Sequence, residues 1–385
     1  METVDEKLLE HGKVSAVDEK PSSRWQNTVL VLQGGGALGA YQAGAYGALA
    51  EGGYTPDWIA GISIGAINAA IIAGNPPEQR TDKLRAFWED ITGPLCIPAP
   101  EGDIPHQWFN GYNALAVMCF GLPKFFTPRF PMPFFQWSGA PGAISYYDTA
   151  PLRETLERLV DFERINAGHT RLSLGAVEVA TGNFTYFDNT QERIRPEHVL
   201  ASGALPPGFP PIEIDGRHYW DGGLVSNTPL AHVLRETEEI GDSLIFQVDL
   251  WSAKGSTPRN LFDVEDRRKD IVYSSRTRLN TDIFRRELML RKALAKLAAR
   301  LPQDERDDPA LADALALAQH RRVSVVHLIY KHKRYESHSR DYQFSRASMH
   351  EHWQDGQADT RRILAQSDWL EPDDDDEGMR VFDLN

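Results

Sequence analysis

Short apolar runs alternate with runs of small residues in the first hundred positions of the chain. Residues 28–33, TVLVLQ, are apolar and β-branched, which predicts a buried strand. Residues 58–62, WIAGI, predict a second strand, and small-residue helices are predicted after these strands at 41–50 and 64–73. Strand–turn–helix units in succession predict a parallel sheet covered by helices, and hence an α/β fold.

Later parts of the chain predict further elements around that sheet. Residues 151–159 repeat leucine at helical spacing, which predicts an amphipathic helix. Residues 171–180 and 183–189 predict a hairpin through Thr181 and Gly182. The remaining predicted elements are strands at 243–250 and 323–330 and helices at 263–299, 309–319 and 345–364.

Composition along the chain predicts four parts. Polar residues of mixed charge at 1–24 predict a flexible tail, and residues 25–250 carry the pattern of one α/β domain. Residues 251–370 are predicted to form a mainly helical extension packed on that domain. The run EPDDDDEG begins an acidic tail at 371–385, because blocks of like charge are typically solvated and without structure.

Residues 96–145 differ from the rest of the predicted domain. They are dense in Pro, Gly and aromatic residues, hold few charges and show no clear period. So many aromatic residues argue against disorder. Two interpretations stay open, a local satellite core under a long loop and a lid or apolar pocket wall near the functional site.

Net charge and the absence of two sequence signals narrow the classes of function. A formal charge of −14 argues against a nucleic-acid partner, which needs basic surface. The two cysteines suggest no disulfide framework, so we expect a cytoplasmic protein. The start of the chain lacks a signal-peptide pattern. Since no run of about 18 apolar residues occurs, any membrane contact is expected to be peripheral.

The first of two glycine-rich turns has two interpretations. Gly34, Gly36 and Gly39 match the G-x-G-x-x-G pattern of dinucleotide sites, after a strand and before a helix. That pattern also needs an acid at the carboxyl end of the second strand. The acid in this region, Asp57, precedes the second strand and is expected at the opposite end of the sheet. We therefore favour an anion pocket, in which the amides of Gly34, Gly35 and Gly36 point into one concavity.

The second turn, GISIG, predicts a nucleophile elbow. In a G-x-S-x-G turn between strand and helix, the strained backbone at the serine lifts its hydroxyl out of the fold. Gly61 and Gly65 flank Ser63 where side chains would collide with the strand and the helix. The adjacent parallel strands bring both turns to one edge of the sheet, which favours attack by Ser63 on an ester.

A serine nucleophile needs a base, and three residues near one another in the sequence are candidates. Asp221 precedes Gly222 and Gly223, which allow a sharp turn that brings the carboxylate close to another loop. An exposed turn acid is the alternative interpretation of Asp221. His218 and His232 would supply the base of a histidine triad instead.

Three motifs in this order resemble the patatin-like phospholipases. GGGALG, GISIG and DGG occur in the family's order, and ASGALPPGFPP and YWDGGLVSNTP are also similar to that family. The likeness covers about residues 28–230. It implies a three-layer α/β/α sandwich with a mostly parallel central sheet, an enzyme that hydrolyses acyl esters of lipids, and no metal or organic cofactor.

The resemblance also implies roles for single residues. Ser63 is the nucleophile and Asp221 the base of a dyad without histidine, and an acyl-enzyme forms. The implied oxyanion hole consists of the amides of Gly34, Gly35 and Gly36 and the amide of Ile64. The motif glycines with structural roles are Gly39, Gly61, Gly65, Gly222 and Gly223.

One position departs from the family pattern, and two other functions stay open. Family members often carry Arg or Lys before the last glycine of the loop, where this chain has Leu38. A contact to a headgroup phosphate is thereby put in doubt, whereas the backbone amides are unaffected. The alternatives to hydrolysis are acyl transfer and non-catalytic binding of lipids or granules. Peripheral contact with a membrane or a lipid granule fits either activity or binding.

Overall fold

The computed structural model describes residues 25–92, 97–274, 277–306, 308–318, 322–336, 338–366 and 379–383. The predicted flexible tail at 1–24 and the acidic run at 371–378 lie outside these residues.

Within the described residues, nine strands form one mixed sheet, and two short strands form a separate antiparallel pair. The sheet order is β11-β10-β9-β1-β2-β5-β8-β7, with β6 paired to β5. The strands are β1 (Asn27–Leu32), β2 (Trp58–Ile62), β3 (Thr127–Pro128), β4 (Tyr147–Asp148), β5 (Arg171–Glu178), β6 (Phe184–Asp188), β7 (Ile212–Ile214), β8 (Arg217–Asp221), β9 (Ser243–Asp249), β10 (Val323–Ile329) and β11 (Met379–Asp383). All pairs from β11 through β5 are parallel, as predicted.

Helices cover the sheet, and the described chain contains thirteen of them. They are α1 (Gly39–Glu51), α2 (Ile64–Ala73), α3 (Arg80–Ile91), α4 (Asp103–Phe120), α5 (Ala150–Leu159), α6 (Phe162–Asn166), α7 (Pro196–Ser202), α8 (Leu230–Ile240), α9 (Leu261–Tyr273), α10 (Thr277–Ala298), α11 (Gln303–Arg306), α12 (Ala312–Leu317) and α13 (Arg346–Leu364). None of the described helices combines the length and apolarity needed to cross a bilayer.

The two faces of β1 contribute to two separate cores. Leu30 and Leu32 pack with residues of α1, α2, α3 and α13. Val29 and Val31 pack with residues of α8 and α10 on the opposite face. This alternation follows from the period of two in a strand. The molecule is therefore a three-layer α/β/α sandwich, as the resemblance implied.

The C-terminal region is mainly helical, and it also completes the sheet. β10 pairs with β9 and β11 with β10, both in parallel. The last long helix packs tightly on α1, since a Cβ atom at Gly44 would lie 2.0 Å from the carbonyl oxygen of Trp353. The predicted acidic tail at 371–385 does not extend over residues 379–383. These residues form the edge strand β11, in which Met379 is buried.

The segment 96–145, in which the sequence shows no clear period, contains the long helix α4. His106, Asn110, Ala114 and Val117 are the buried residues of this helix, at helical spacing. The outward face holds large apolar residues, so apolar side chains occur all around the helix and hide its period in the sequence. The inward polar residues have partners: the His106 ring stacks on Tyr335 with centroids 3.8 Å apart.

Candidate active site

Ser63 lies in a strained turn between β2 and α2, as the elbow motif predicts. Its φ of 57° and ψ of −126° fall in a region that residues with a Cβ atom rarely adopt. The two glycines permit the turn: a Cβ at Gly61 would lie 2.4 Å from the carbonyl oxygen of Gly65. A Cβ at Gly65 would lie 2.4 Å from the carbonyl oxygen of Leu32. The turn can therefore form only with glycine at both positions.

A second serine, which the sequence analysis missed, holds the elbow to the sheet. The Ser63 amide donates to Ser202 Oγ at 3.1 Å. Ser202 Oγ in turn donates to the carbonyl oxygen of Gly175 in β5 at 2.6 Å. Ser202 ends α7 and is fully buried. No local pattern indicates this contact, because the two serines are 139 positions apart.

The register of β5 brings Asp221 to Ser63. β2 ends at Ile62, which pairs with Gly175 of β5. The next residue of β5, Ala176, pairs with Asp221 at the end of β8. Since β6 occupies the other edge of β5 at these positions, β8 continues the edge that β2 leaves. Ser63 and Asp221 thus meet at the point where one strand replaces the other.

The Asp221 carboxyl is buried and lies within hydrogen-bonding reach of the Ser63 side chain. Burial raises the pKa of Asp221 to about 7, against the lowering effect of its hydrogen bonds with Ser63 and the Gly223 amide. The Gly223 amide donates to Asp221 Oδ1 at 2.7 Å. A Cβ at Gly222 would lie 2.7 Å from the carbonyl oxygen of Gly175, so this turn also needs glycine. The alternative of an exposed turn acid is wrong.

The glycine-rich loop lies beside Ser63, but one of its predicted donors already has a partner. The Gly34 amide donates to the carbonyl oxygen of Asn227 at 3.1 Å. This amide is therefore not available to donate to an oxyanion at Ser63. Gly34 approaches the elbow closely, since a Cβ there would lie 3.0 Å from Ser63 Cβ and 2.3 Å from Asn227 Oδ1.

The peptide between Gly34 and Gly35 is oriented by two buried side chains. Its carbonyl oxygen accepts from Asn227 Nδ2 at 2.9 Å and from Trp251 Nε1 at 2.9 Å. In a trans peptide the N–H points opposite to the C=O. The Gly35 amide is thus directed away from Asn227 and Trp251. Sequence reasoning found neither residue, because each lies about two hundred positions from the loop.

The helices that follow the two turns are packed closely together. A Cβ at Gly39 would lie 2.5 Å from Ile64 Cγ1, so glycine allows α1 to approach the start of α2. Ile64 is the first residue of α2, where the amide has no carbonyl of its own helix to bind. The predicted donor therefore stands at the positive end of the helix dipole, next to Ser63.

The C-terminal region braces the glycine-rich loop. Gly36 has a φ of 56°, and a Cβ there would lie 2.0 Å from the carbonyl oxygen of Asp341. The Asp341 carboxylate pairs with Lys269 Nζ at 2.7 Å. The neighbouring Arg340 is buried, pairs with Asp270 and lies 4.9 Å from the centre of the Trp251 ring. Residues from α9 and the segment before α13 thereby fix the loop from outside.

A cavity of about 440 Å³ contains the serine, the aspartate and the glycine-rich loop. Its walls are largely aromatic, with Phe125, Phe126, Tyr147 and Phe209 in ring contacts with one another. A volume of this size and an apolar wall with a few polar groups at one end suit a small apolar ligand or an extended chain.

Neither candidate histidine lies in the cavity wall. His218 is exposed on β8. The His232 ring stacks on Tyr186 with centroids 3.9 Å apart, and burial lowers its pKa. Asp57 also lies away from the edge of the sheet that holds Ser63. Its carboxylate accepts a hydrogen bond from the Thr28 amide at the opposite end of β1, as expected. Within the described residues, no group of His, Cys, Asp and Glu could hold a metal ion.

Two family models match the chain. One, described as "Patatin-like phospholipase", matches residues 30–234, more than half of the chain. The other, described as "Patatin phospholipase", matches residues 271–376. Among solved structures, VipD from Legionella pneumophila is 14% identical, covers 88% of this chain and 67% of its own, and has a TM-score of 0.37. No curated protein matches the chain.

Proposed function

The chain belongs to the patatin-like phospholipase family, and we propose that it cleaves carboxylic esters of phospholipids or other acyl lipids with a Ser63–Asp221 dyad. Family membership supports lipid acyl hydrolysis in general. The observation that carries the residue assignment is the strand register that brings the buried Asp221 carboxyl within hydrogen-bonding reach of the Ser63 side chain in one cavity.

In the proposed first step, Asp221 takes the Ser63 proton while the serine oxygen attacks the acyl carbon. An unperturbed Asp has a pKa of about 4 and is a weak base toward a hydroxyl. The pKa of Asp221, raised to about 7 by burial, makes its ionised form a stronger base near neutral pH. The alcohol leaves with the proton, and water then releases the fatty acid from the acyl-enzyme by the reverse transfer.

The oxyanion that forms on the acyl carbonyl needs donors beside Ser63. We assign the Gly35, Gly36 and Ile64 amides to this role, because the Gly34 amide donates to Asn227. Gly34 keeps a role in geometry, since its carbonyl accepts the bonds that orient the Gly35 amide. Loss of one preorganised donor of this kind typically costs about 100- to 1000-fold in rate.

The aromatic cavity supports an acyl chain as the group bound next to Ser63. The Leu38 side chain, at the position where relatives often carry a cation, is fully buried. It offers no charge to a headgroup phosphate, so the proposal covers acyl lipids in general. The mechanism uses neither a metal nor an organic cofactor, and we propose the cytoplasm as its compartment, which cell fractionation can test.

Replacement of Ser63 tests the assignment most directly. Ser63→Ala is expected to abolish hydrolysis of p-nitrophenyl butyrate and covalent labelling by a fluorophosphonate probe, because both need the hydroxyl. His218→Ala is the matched control and should keep the wild-type rate. Full activity in Ser63→Ala, or loss of activity in His218→Ala, would contradict the dyad.

Product analysis separates the alternatives to hydrolysis. A wild-type protein that binds lipid but is not labelled at Ser63 would be a non-catalytic lipid- or granule-binding protein. Labelling with transfer of the acyl group to an added alcohol in preference to water would indicate an acyltransferase. Release of free fatty acid from phospholipid is the expected result.

A further inference from the structure

A set of large apolar side chains is exposed to solvent on α4 and on the loop that holds Phe130 and Trp137. We name the aromatic face after Ile104, Trp108, Tyr112, Phe130, Phe134 and Trp137, each of which is at least 70% exposed. Aromatic residues normally bury most of their surface in a core or an interface. A contiguous exposed apolar patch on a folded protein typically marks a site of association.

The N-terminal half of α4 turns polar residues inward and aromatic residues outward. Its inward side carries His106 and Asn110, and its outward side carries Trp108 and Tyr112. The inward polar groups anchor the helix: Gln343 Nε2 donates to Asn110 Oδ1 at 3.0 Å, in addition to the stacking of His106. Rotation of α4 to bury its apolar side would break these contacts. The apolar side therefore stays outward.

The loop that carries the rest of the face is held by its own backbone. The turns at Pro133–Phe135 and Pro141–Ile144 are closed by backbone hydrogen bonds. Gln136 Nε2 donates to the carbonyl oxygen of Pro131 at 2.7 Å and fixes the two sides of the loop to each other. Phe130 and Trp137 are thereby presented at 97% and 88% exposure.

Charge sets this segment apart from the rest of the protein. Residues 104–147 contain no Asp or Glu, although the whole chain has a net charge of −14. The two cations of the segment, Lys124 and Arg129, lie close to Asp90 and Asp148 respectively. The aromatic face is thus a part of an acidic protein that can approach a surface of phosphate groups without repulsion from its own carboxylates.

The face is also continuous with the cavity. Met118 on α4 and Tyr146, whose ring lies 6.0 Å from that of Phe134, are both exposed, and both line the cavity that contains Ser63. A lipid whose headgroup rests at this face therefore has a direct apolar path for its chain toward the serine.

We propose that the aromatic face docks the protein on a phospholipid bilayer and positions the cavity over the lipid. The Trp and Tyr side chains would lie at the headgroup level, where such amphipathic rings are favoured. Phe130, Phe134 and Ile104 would enter the acyl region, as the apolar side of an interfacial helix does. The proposal rests on the proposed function for its substrate, but docking itself needs no catalysis.

The test measures vesicle binding in a Ser63→Ala background, so that hydrolysis cannot alter the vesicles. The triple variant Trp108→Ser, Phe130→Ser and Trp137→Ser is expected to lower partition onto phosphatidylcholine–phosphatidylglycerol vesicles at least about tenfold in a flotation assay. With Ser63 restored, hydrolysis of p-nitrophenyl butyrate should stay within about twofold of wild type, since exposed substitutions perturb a fold little.

The matched control replaces three exposed apolar residues on α10, at the opposite face of the sheet. Met289→Ser, Leu290→Ser and Leu297→Ser should leave vesicle partition unchanged.

Equal partition of wild type and the aromatic-face variant would overturn the proposal. Binding to a triglyceride emulsion but not to vesicles would contradict the proposal that the aromatic face binds a bilayer. Conversion of a dimer to a monomer by the variant, without loss of vesicle binding, would assign the face to a second copy. An inactive wild-type protein that still binds vesicles would contradict the proposed function alone.

Discussion

The site around Ser63 and the aromatic face are linked through Tyr146, which lines the cavity and contacts Phe134, but they are built in opposite ways. At the site, a Cβ atom added at Gly65 or Gly222 would overlap backbone oxygens at 2.4 and 2.7 Å. On the aromatic face, a Cβ at Gly111 or Gly139 would meet nothing within 4 Å. One region is fixed by contacts on all sides, and the other is fixed on one side only.

This contrast suggests how the two regions serve one reaction. Chemistry needs donors and a base held in place, and close packing supplies that preorganisation. A surface that meets a fluid bilayer needs exposed apolar area, and exact complementarity to a partner would add nothing there. We therefore expect single substitutions to have large effects at the site and small effects on the aromatic face.

The largest effect is expected for Asp221→Asn. An amide of the same shape keeps the bond from the Gly223 amide but cannot accept the serine proton. kcat should fall by about 1000-fold or more, as for other dyad and triad bases, and KM should change little. Steady-state kinetics with p-nitrophenyl butyrate measure both. A rate within tenfold of wild type would remove Asp221 from the role of base.

The same residue predicts how pH affects activity and stability. kcat/KM of the wild type should rise with pH through about 7, as Asp221 ionises. Because the pKa in the folded state is raised, the folded protein binds the proton more tightly, and this carboxyl reduces stability as pH rises from about 4 to 7. As pH rises from about 4 to 7, the unfolding free energy of Asp221→Asn should therefore increase by roughly 2–4 kcal/mol relative to that of the wild type. Urea unfolding at both pH values measures it, and a constant difference would contradict the raised pKa.

The next largest effect is expected for Gly65→Ala. The added methyl group meets the carbonyl oxygen of Leu32 at 2.4 Å, so α2 or β1 must move. We expect a loss of about 2–3 kcal/mol of unfolding free energy and of most of the activity, because the elbow moves with the helix. Thermal unfolding and the p-nitrophenyl butyrate rate measure the two effects. Wild-type values for both would show that the close approach is not required.

A smaller effect is expected for Trp251→Phe. The change removes the Nε1 donor to the Gly34 carbonyl and keeps the donor from Asn227. A hydrogen bond of this kind is worth about 1 kcal/mol, so kcat should fall about three- to tenfold while KM stays constant. A parallel change in KM would indicate a change in the cavity wall, which Trp251 also lines, and would argue against an effect through the Gly35 amide.

The smallest effect is expected for Gly111→Ala on α4. Open space surrounds this position, and alanine is favoured over glycine inside a helix. We expect a gain of about 0.5–1 kcal/mol in unfolding free energy and no change in the p-nitrophenyl butyrate rate. A destabilisation as large as that of Gly65→Ala would contradict the contrast between the two regions.

The motifs around Ser63 could be predicted because they are local. The GISIG turn and the strand before it are adjacent in sequence. Gly61 is required by a contact within the turn and Gly65 by a contact to the neighbouring strand β1. The bounds of β2 and α2, Trp58–Ile62 and Ile64–Ala73, agree with the prediction for the same reason. The character of α4 could not be predicted, because a helix with apolar residues all around has no detectable period.

By itself, the sequence determined the α/β class, the elbow, the glycine-rich loop and the identity of a carboxylate as the candidate base. Only the tertiary structure decided that β8 continues the edge of β5 where β2 ends, that Ser202 holds the Ser63 amide, and that Asn227 occupies the Gly34 amide. The two hydrogen-bonded contacts join residues 139 and 193 positions apart, and the strand pairing joins Ala176 to Asp221. Local patterns encode strands, helices and turns, whereas strand register and packing depend on the whole chain.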